Sequence, residues 1–460
     1  MWFILFLTSL LLGYLTISIW RRDFSKLEKL FISFSLGMGE ISLLMFIMGL
    51  LKISLTAENV LLYTSVVCLV LAIISFIRTG NIFKIQRQSF PKLTIFEIPL
   101  IFILLFLVFW SLTQTINWPP WEWDVLALYD FRGRVMAETH SLGTEFFTSQ
   151  PNLTAYNYVY PFSTSLMHTL IYIGGGSNPQ FIYSLYYASL IFLLYACLRR
   201  RLSRLQSLSL AAVLATTAEV LFPSTIAYPN IPYALYFGFS TIYFWEWMVH
   251  KKIGYFVVST LFLALSAWTR SSEPFWIVNV LFIIFLLLRE KRFMLTAVFL
   301  AVFLPLRQLW PIYQKDIFSH AENVFYSPPQ SFSLDLTKIP EVLFFVLKFF
   351  VKDWMGYLFL LLVVILLLRQ QALKFKYMFF WLAGYLAIAF IGTYFFSVSF
   401  PWWDQIGGSA ARISVFFAPL ILYIISIFWF DSTKGLSSYI KKASFFLKID
   451  RKKYKLTKWP

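Results

Sequence analysis

Three carboxylates and two arginines crowd one polar stretch of the chain, residues 121–134, which reads Trp-Glu-Trp-Asp-Val-Leu-Ala-Leu-Tyr-Asp-Phe-Arg-Gly-Arg. A carboxylate flanked by tryptophan just above a membrane is partly desolvated, and partial desolvation is one way a general base is tuned. As a helix the stretch puts Asp124, Leu128 and Phe131 on one face and spaces Asp130 and Arg134 as an i,i+4 pair. Asp130 therefore has an obvious partner, which makes Asp124 the better candidate base and Asp130 the second. The rival reading is a solvated amphipathic helix stitched by that pair.

Further on stand Tyr160-Pro161, then Arg270 and Glu273 in Trp-Thr-Arg-Ser-Ser-Glu-Pro, then Arg412 after Gly-Gly-Ser-Ala-Ala. A guanidinium matches phosphate oxygens bidentately, so Arg270 and Arg412 suit a lipid-borne phosphate. The alternative is neutralisation of charge at helix ends, with Glu273 answering Arg270. His140, His168, His250 and His320 are too scattered to define a metal site, and the two cysteines, Cys68 and Cys197, lie in apolar runs. Asp316, Glu322 and Asp335 read as a solvated loop, and Glu40, Glu219 and Glu246 fall in or near apolar runs, where each needs a partner or an aqueous cavity.

The elements that must position these residues are membrane helices. The chain has 460 residues, 59% of them hydrophobic and only 13% charged. Continuous apolar runs such as residues 98–110, 277–288 and 342–368 suit helices crossing roughly 30 Å of hydrocarbon, and their lack of alternation excludes a β-barrel. We expect an all-α polytopic protein of about thirteen spans. They begin near Trp2, Leu30, Asn59, Ile95, Phe181, Ser207, Ile231, Gly254, Pro274, Phe293, Val342, Tyr377 and Ile413. Residues 162–173 are too short to span and are expected as an interfacial helix.

The net charge of +17 sits in short connections rather than in a groove, which argues against nucleic acid. With the spans above, the connections around Arg21, Arg78, Arg199 to Arg204, Lys251, Arg289 and Lys374, and the tail from Lys434, share one side. By the positive-inside rule that side is the cytoplasm, with the amino terminus outside and the carboxyl terminus inside. The outer side receives a long loop at residues 117–160 and shorter ones near Lys315 and Arg412. The basic tail, residues 431–460, is expected on the anionic inner leaflet.

This layout resembles the GT-C superfamily of membrane glycosyltransferases, which take sugar from a polyprenyl-phosphate carrier. Residues 123–134 are similar to a Trp-Asp-x-x-x-x-(Tyr/Trp)-(Asn/Asp)-x-(Lys/Arg)-x-Arg pattern of bacterial members. Residues 158–162 resemble their Asp-Tyr-Pro element with Val159 in place of the Asp. Residues 269–274 resemble their Thr-(Lys/Arg)-Asn-Glu-Gly turn with Ser272 and Pro274 in place of Asn and Gly, and residues 412–419 their Arg-led final segment. The resemblance covers residues 95–430 and implies a core with a catalytic outer loop at 117–160, leaving residues 1–94 as a three-span extension.

The resemblance implies transfer, with inversion, of a sugar from a polyprenyl phosphate to an acceptor on the outer face of a bacterial inner membrane, without cofactor or metal. Asp124 and Asp130 are the catalytic candidates. Arg132, Arg134, Tyr160, Arg270, Glu273 and Arg412 are the candidates for binding donor and lipid phosphate. A transporter or flippase is the main rival, although the charges crowd one face rather than the midplane and no repeat is evident. A surface-polysaccharide polymerase or ligase shares the layout.

Overall fold

The computed structural model describes residues 1–20, 22–80, 93–149, 160–270, 275–319, 335–352, 363, 376–399, 403 and 412–427. Glu273, residues 150–159 and the basic tail lie outside them. Among the described residues the chain is all-helical, and no strand occurs. The apolar runs form α1 (Trp2–Ser18), α2 (Lys26–Leu50), α3 (Ala57–Thr79) and α4 (Glu97–Asn117). After the first polar stretch come α5 (Asp130–Thr139), α6 (Thr144–Thr148), α7 (Ser163–Ile173) and α8 (Phe181–Leu198). A bent pair follows, α9 (Arg204–Thr216) and α10 (Ala218–Leu221), then α11 (Asn230–His250), α12 (Ile253–Thr269), α13 (Phe275–Arg289) and α14 (Phe293–Ser319). The last described helices are α15 (Lys338–Lys352), α16 (Lys376–Ser399) and α17 (Arg412–Ile427).

Six of these helices are long and apolar enough to cross a membrane, seven if the pair bent by 69° counts as one crossing. The outer members α3 and α4 expose Leu62, Val66, Leu69, Val70, Ile73, Phe102, Leu105, Phe106 and Phe109. Apolar faces of that extent suit lipid as their solvent. The centre is α11, in which every residue from Asn230 to Trp247 is buried. Its many Tyr and Trp side chains lower its hydropathy, yet a helix enclosed on all sides needs no lipid-facing stripe.

The first three helices are not a separate body. Tyr236 of α11 donates to Ser35 O (2.6 Å), and Trp268 donates to Ser42 Oγ (2.9 Å), so α2 belongs to the common core. Helices α1 and α2 meet backbone to backbone at Gly13 and Gly37, where an added Cβ would fall 2.0 Å from Ser33 O and 1.9 Å from Ser9 O. Such small-residue contacts allow the close approach that packs helices within lipid. Residue 94 is thus no packing boundary.

Helix ends sort into two sets. At one end Trp2 N–H donates to Gly174 O (2.8 Å), Leu55 N–H to His140 O (2.7 Å), Gln180 Nε2 to Trp118 O (2.7 Å), and Thr144 Oγ1 lies 2.6 Å from the Tyr313 hydroxyl. At the other, Gly254 N–H donates to Asp23 (2.8 Å), Arg204 forks onto Glu97 (2.6 and 2.7 Å), and Lys251 pairs with Glu290 (2.6 Å). The second end also holds Arg78, Arg199 to Arg201 and Arg289, and is the basic end. There Glu246 finds the partners its depth demands: Arg200, Arg201 and the Tyr423 hydroxyl, with Arg200 reaching on to Glu28.

Candidate functional site

The polar stretch begins helically at Trp123, widens into a π turn over Val125–Tyr129, and continues as α5. The Asp130 N–H donates to Val125 O, an i→i+5 bond that adds a residue to the turn. A regular helix would have aligned Asp124, Leu128 and Phe131. The wider turn instead leaves Asp124 at the rim and points Leu128, Tyr129, Asp130, Arg132 and Gly133 inward.

Beneath α5 lies α7, which is buried from Ser163 to Ile171. It does not span, as expected, but neither does it lie at the interface with a lipid-facing side. Two of its polar side chains join it to α5, since Ser165 accepts from Arg132 and Thr169 donates to Gly133 O (3.1 Å). A Cβ on Gly133 would fall 2.7 Å from that of His168, so glycine lets the two helices touch.

Arg132 lies inside the bundle. Its side chain is wholly buried, with Nε donating to Ser165 Oγ (3.0 Å) and Nη1 to Tyr160 O (2.9 Å), and its guanidinium lies between the rings of Tyr129 and Phe162. A cation with no exposed surface holds the Tyr160-Pro161 turn against α5. Arg134 is exposed, donates to Asp130 (2.8 Å) and rests over Tyr172 at 4.8 Å.

Asp130 is buried under that arginine. Tyr172 donates to its Oδ1, and His168 Nδ1 lies 3.2 Å from the same oxygen while His168 Nε2 is 2.8 Å from the Tyr183 hydroxyl. Burial pushes the Asp130 carboxyl up, but His168, Tyr172 and Arg134 outweigh it and hold it well below its ordinary 3.8. A carboxylate stabilised in this way contributes stability that is fully present above its unfolded pKa and fades as pH falls through the folded one. Asp130→Asn should therefore cost about 3 to 5 kcal/mol at neutral pH, as for other broken buried pairs. The gap in unfolding free energy between parent and variant should narrow only once pH drops below about 4. A gap independent of pH down to acid denaturation would show that the charge of Asp130 does not stabilise the fold.

The rim residues form a continuous chain of contacts. Asp124 Oδ2 accepts from Arg412 Nη1 at 3.4 Å, joining the polar stretch 121–134 to the first residue of α17, with the two side chains 41% and 42% exposed. Arg412 lies over the Tyr228 ring (5.9 Å), whose hydroxyl donates to Glu122 (3.4 Å) and whose edge meets Tyr129. Tyr129 packs on Tyr160, and Arg270 lies over Tyr160 at 5.4 Å and over Phe416 at 5.6 Å while donating to Asn230 Oδ1. Asp124, Tyr160, Arg270 and Arg412 thus come together at the end of the bundle opposite the basic one. Asp124 does have an ion-pair partner, contrary to the expectation that only Asp130 would.

Sequence reasoning missed Glu122, Tyr228, Asn230 and His168. Tyr228-Pro229 repeats the Tyr160-Pro161 pattern of a tyrosine placed just before a helix, and that repetition was a usable signal. Searches of protein-family models, curated proteins and solved structures found no match to this chain.

Proposed function

We propose that this chain is a membrane glycosyltransferase of GT-C type, moving a sugar from a polyprenyl phosphate to an acceptor on the outer face of a bacterial plasma membrane. The observation that supports it best is the contact of Asp124 with Arg412, which sets a candidate base beside a candidate phosphate-binding cation, with Arg270 joined to both through Tyr228, Tyr129 and Tyr160. In this reading the chain crosses the membrane about thirteen times, with its basic end in the cytoplasm and its amino terminus outside.

Docking of the donor phosphate competes with Asp124 for the Arg412 fork. Arg412 and Arg270 then share the charge that grows on the phosphate, and Asp124 is released to act as base. The acceptor oxygen forms its bond to the anomeric carbon as its proton passes to Asp124. The bond from that carbon to the phosphate oxygen breaks, its electron pair leaving with the polyprenyl phosphate, and the anomeric configuration inverts. Arg132 positions Tyr129 and Tyr160, and Asp130 with Arg134 braces α5.

The test is binding. Purified protein should bind polyprenyl phosphate, and Arg270→Ala or Arg412→Ala should weaken that binding by about tenfold or more, the scale of a lost hydrogen bond to a charged group. Lysine at either position should restore it only in part, because the bidentate fork is lost. Alanine variants that bind as well as the parent would remove the physical basis of the reading.

A further inference from the structure

A second cluster of donors lies away from the rim chain, between α13 and α14. Arg307 of α14 rests over the Trp276 ring of α13 at 4.8 Å, and Phe303, one turn earlier, packs on the same indole at 5.7 Å. Arg307 Nε and Nη1 are buried with no hydrogen-bond partner, and so is Trp276 Nε1. Among the described residues no carboxylate pairs with Arg307. Both side chains are half-buried, and Leu304 and Gln308 beside them are exposed. The cluster therefore lies just beneath the surface of the bundle, and the unpartnered groups it holds are donors alone.

Its depth follows from the helix lengths. Helix α14 starts at Phe293 on the basic end, and at about 1.5 Å per residue Arg307 stands about 21 Å from that start. Helix α13 likewise runs about 21 Å from Arg289 back to Phe275, so its far tip is level with Arg307. The guanidinium and the indole N–H therefore meet near the plane where α13 ends, on the side of the bundle that carries Arg270. Buried donors without acceptors are costly, more so within hydrocarbon, and an arginine held at that level calls for an anionic acceptor. Arginine and tryptophan together offer a fork of N–H groups, an additional indole donor and an apolar wall, which suits a phosphate ester carried on a hydrocarbon chain.

We infer that Arg307 and Trp276 form a binding site for the phosphate of a membrane lipid, distinct from the Asp124, Arg270 and Arg412 cluster. The inference does not rest on the glycosyltransferase reading. The phosphate has two candidate sources, a phospholipid headgroup or an isoprenyl phosphate.

Native mass spectrometry of the detergent-purified full chain, titrated with dioleoylphosphatidylglycerol, farnesyl phosphate or dioleoylglycerol, separates them. Arg307→Ala should weaken binding of a phosphate-bearing lipid by about tenfold or more, Trp276→Phe should weaken it a few-fold, and Arg307→Lys should keep part of it. Dioleoylglycerol, which lacks the phosphate, should bind parent and variants alike. Weakening with phosphatidylglycerol identifies a phospholipid site, and weakening confined to farnesyl phosphate identifies a carrier site. Trp276→Phe, which keeps an aromatic ring at this position and removes the indole N–H, carries the test if Arg307→Ala does not fold. Unchanged affinity of every folded variant for both phosphate lipids, or an equal loss of dioleoylglycerol, would overturn the inference. Failure of the Arg270 and Arg412 variants to lose binding would leave it standing.

Discussion

Asp124→Asn should lower glycosyl transfer by at least about 100-fold, the scale of lost general base catalysis, while the protein folds as before. The amide has the shape of the carboxylate and its oxygen can still accept from Arg412, so the link between the polar stretch 121–134 and α17 survives. The side chain is about two-fifths exposed, and surface substitutions of that kind usually change stability by less than about 0.5 kcal/mol. Asp130→Asn should show the reverse pattern, because its carboxylate is enclosed by Arg134, Tyr172 and His168. Paired measurements of initial transfer rate and unfolding midpoint separate the two. Full activity in a stable Asp124→Asn variant would remove Asp124 from the chemistry.

An effect on stability as large as that of Asp130→Asn is expected at the opposite end. Glu246 is wholly buried and accepts from Arg200, Arg201 and Tyr423, while Arg200 also reaches Glu28 and lies over the rings of Tyr243 and Tyr255. Neutralising it leaves two largely buried guanidinium groups with half their compensation, so Glu246→Gln should cost about 3 to 5 kcal/mol in unfolding from mixed micelles. Glu290→Gln is the control: its pair with Lys251 is exposed, and losing it should cost less than about 1 kcal/mol. Equal costs for the two would mean that burial does not set the value of these pairs. The network ties the arginine-rich connection after α8 to α2, α11 and α17, so this connection locks the basic end of the bundle.

Much of this was visible in the residues. Apolar runs and basic connections follow from the solvent each segment meets, so the helices and the grouping of the basic connections at one end could be read directly. The Asp130 and Arg134 pair was equally plain, because its spacing is local. What stayed hidden depends on contacts between distant segments. Nothing in the composition around Asp124 marks Arg412 as its neighbour, and nothing around Glu246 marks Arg200 and Arg201. The π turn hid another part, since one extra residue turns Arg132 from a surface cation into a buried brace. Helix α11 was placed correctly as a helix, but its enclosure on all sides is set by the neighbours that surround it.

The most direct test of the central claim is donor consumption. Purified protein reconstituted in vesicles would be given a panel of radiolabelled polyprenyl-phosphate sugars together with an envelope extract as the acceptor source, and released polyprenyl phosphate would be measured. The parent should release it from at least one donor, and Asp124→Asn and Arg412→Ala, both folded, should release at least about 100-fold less. Release by Asp124→Asn at the rate of the parent, or intact donors throughout while the same vesicles move lipid across the bilayer, would contradict the claim.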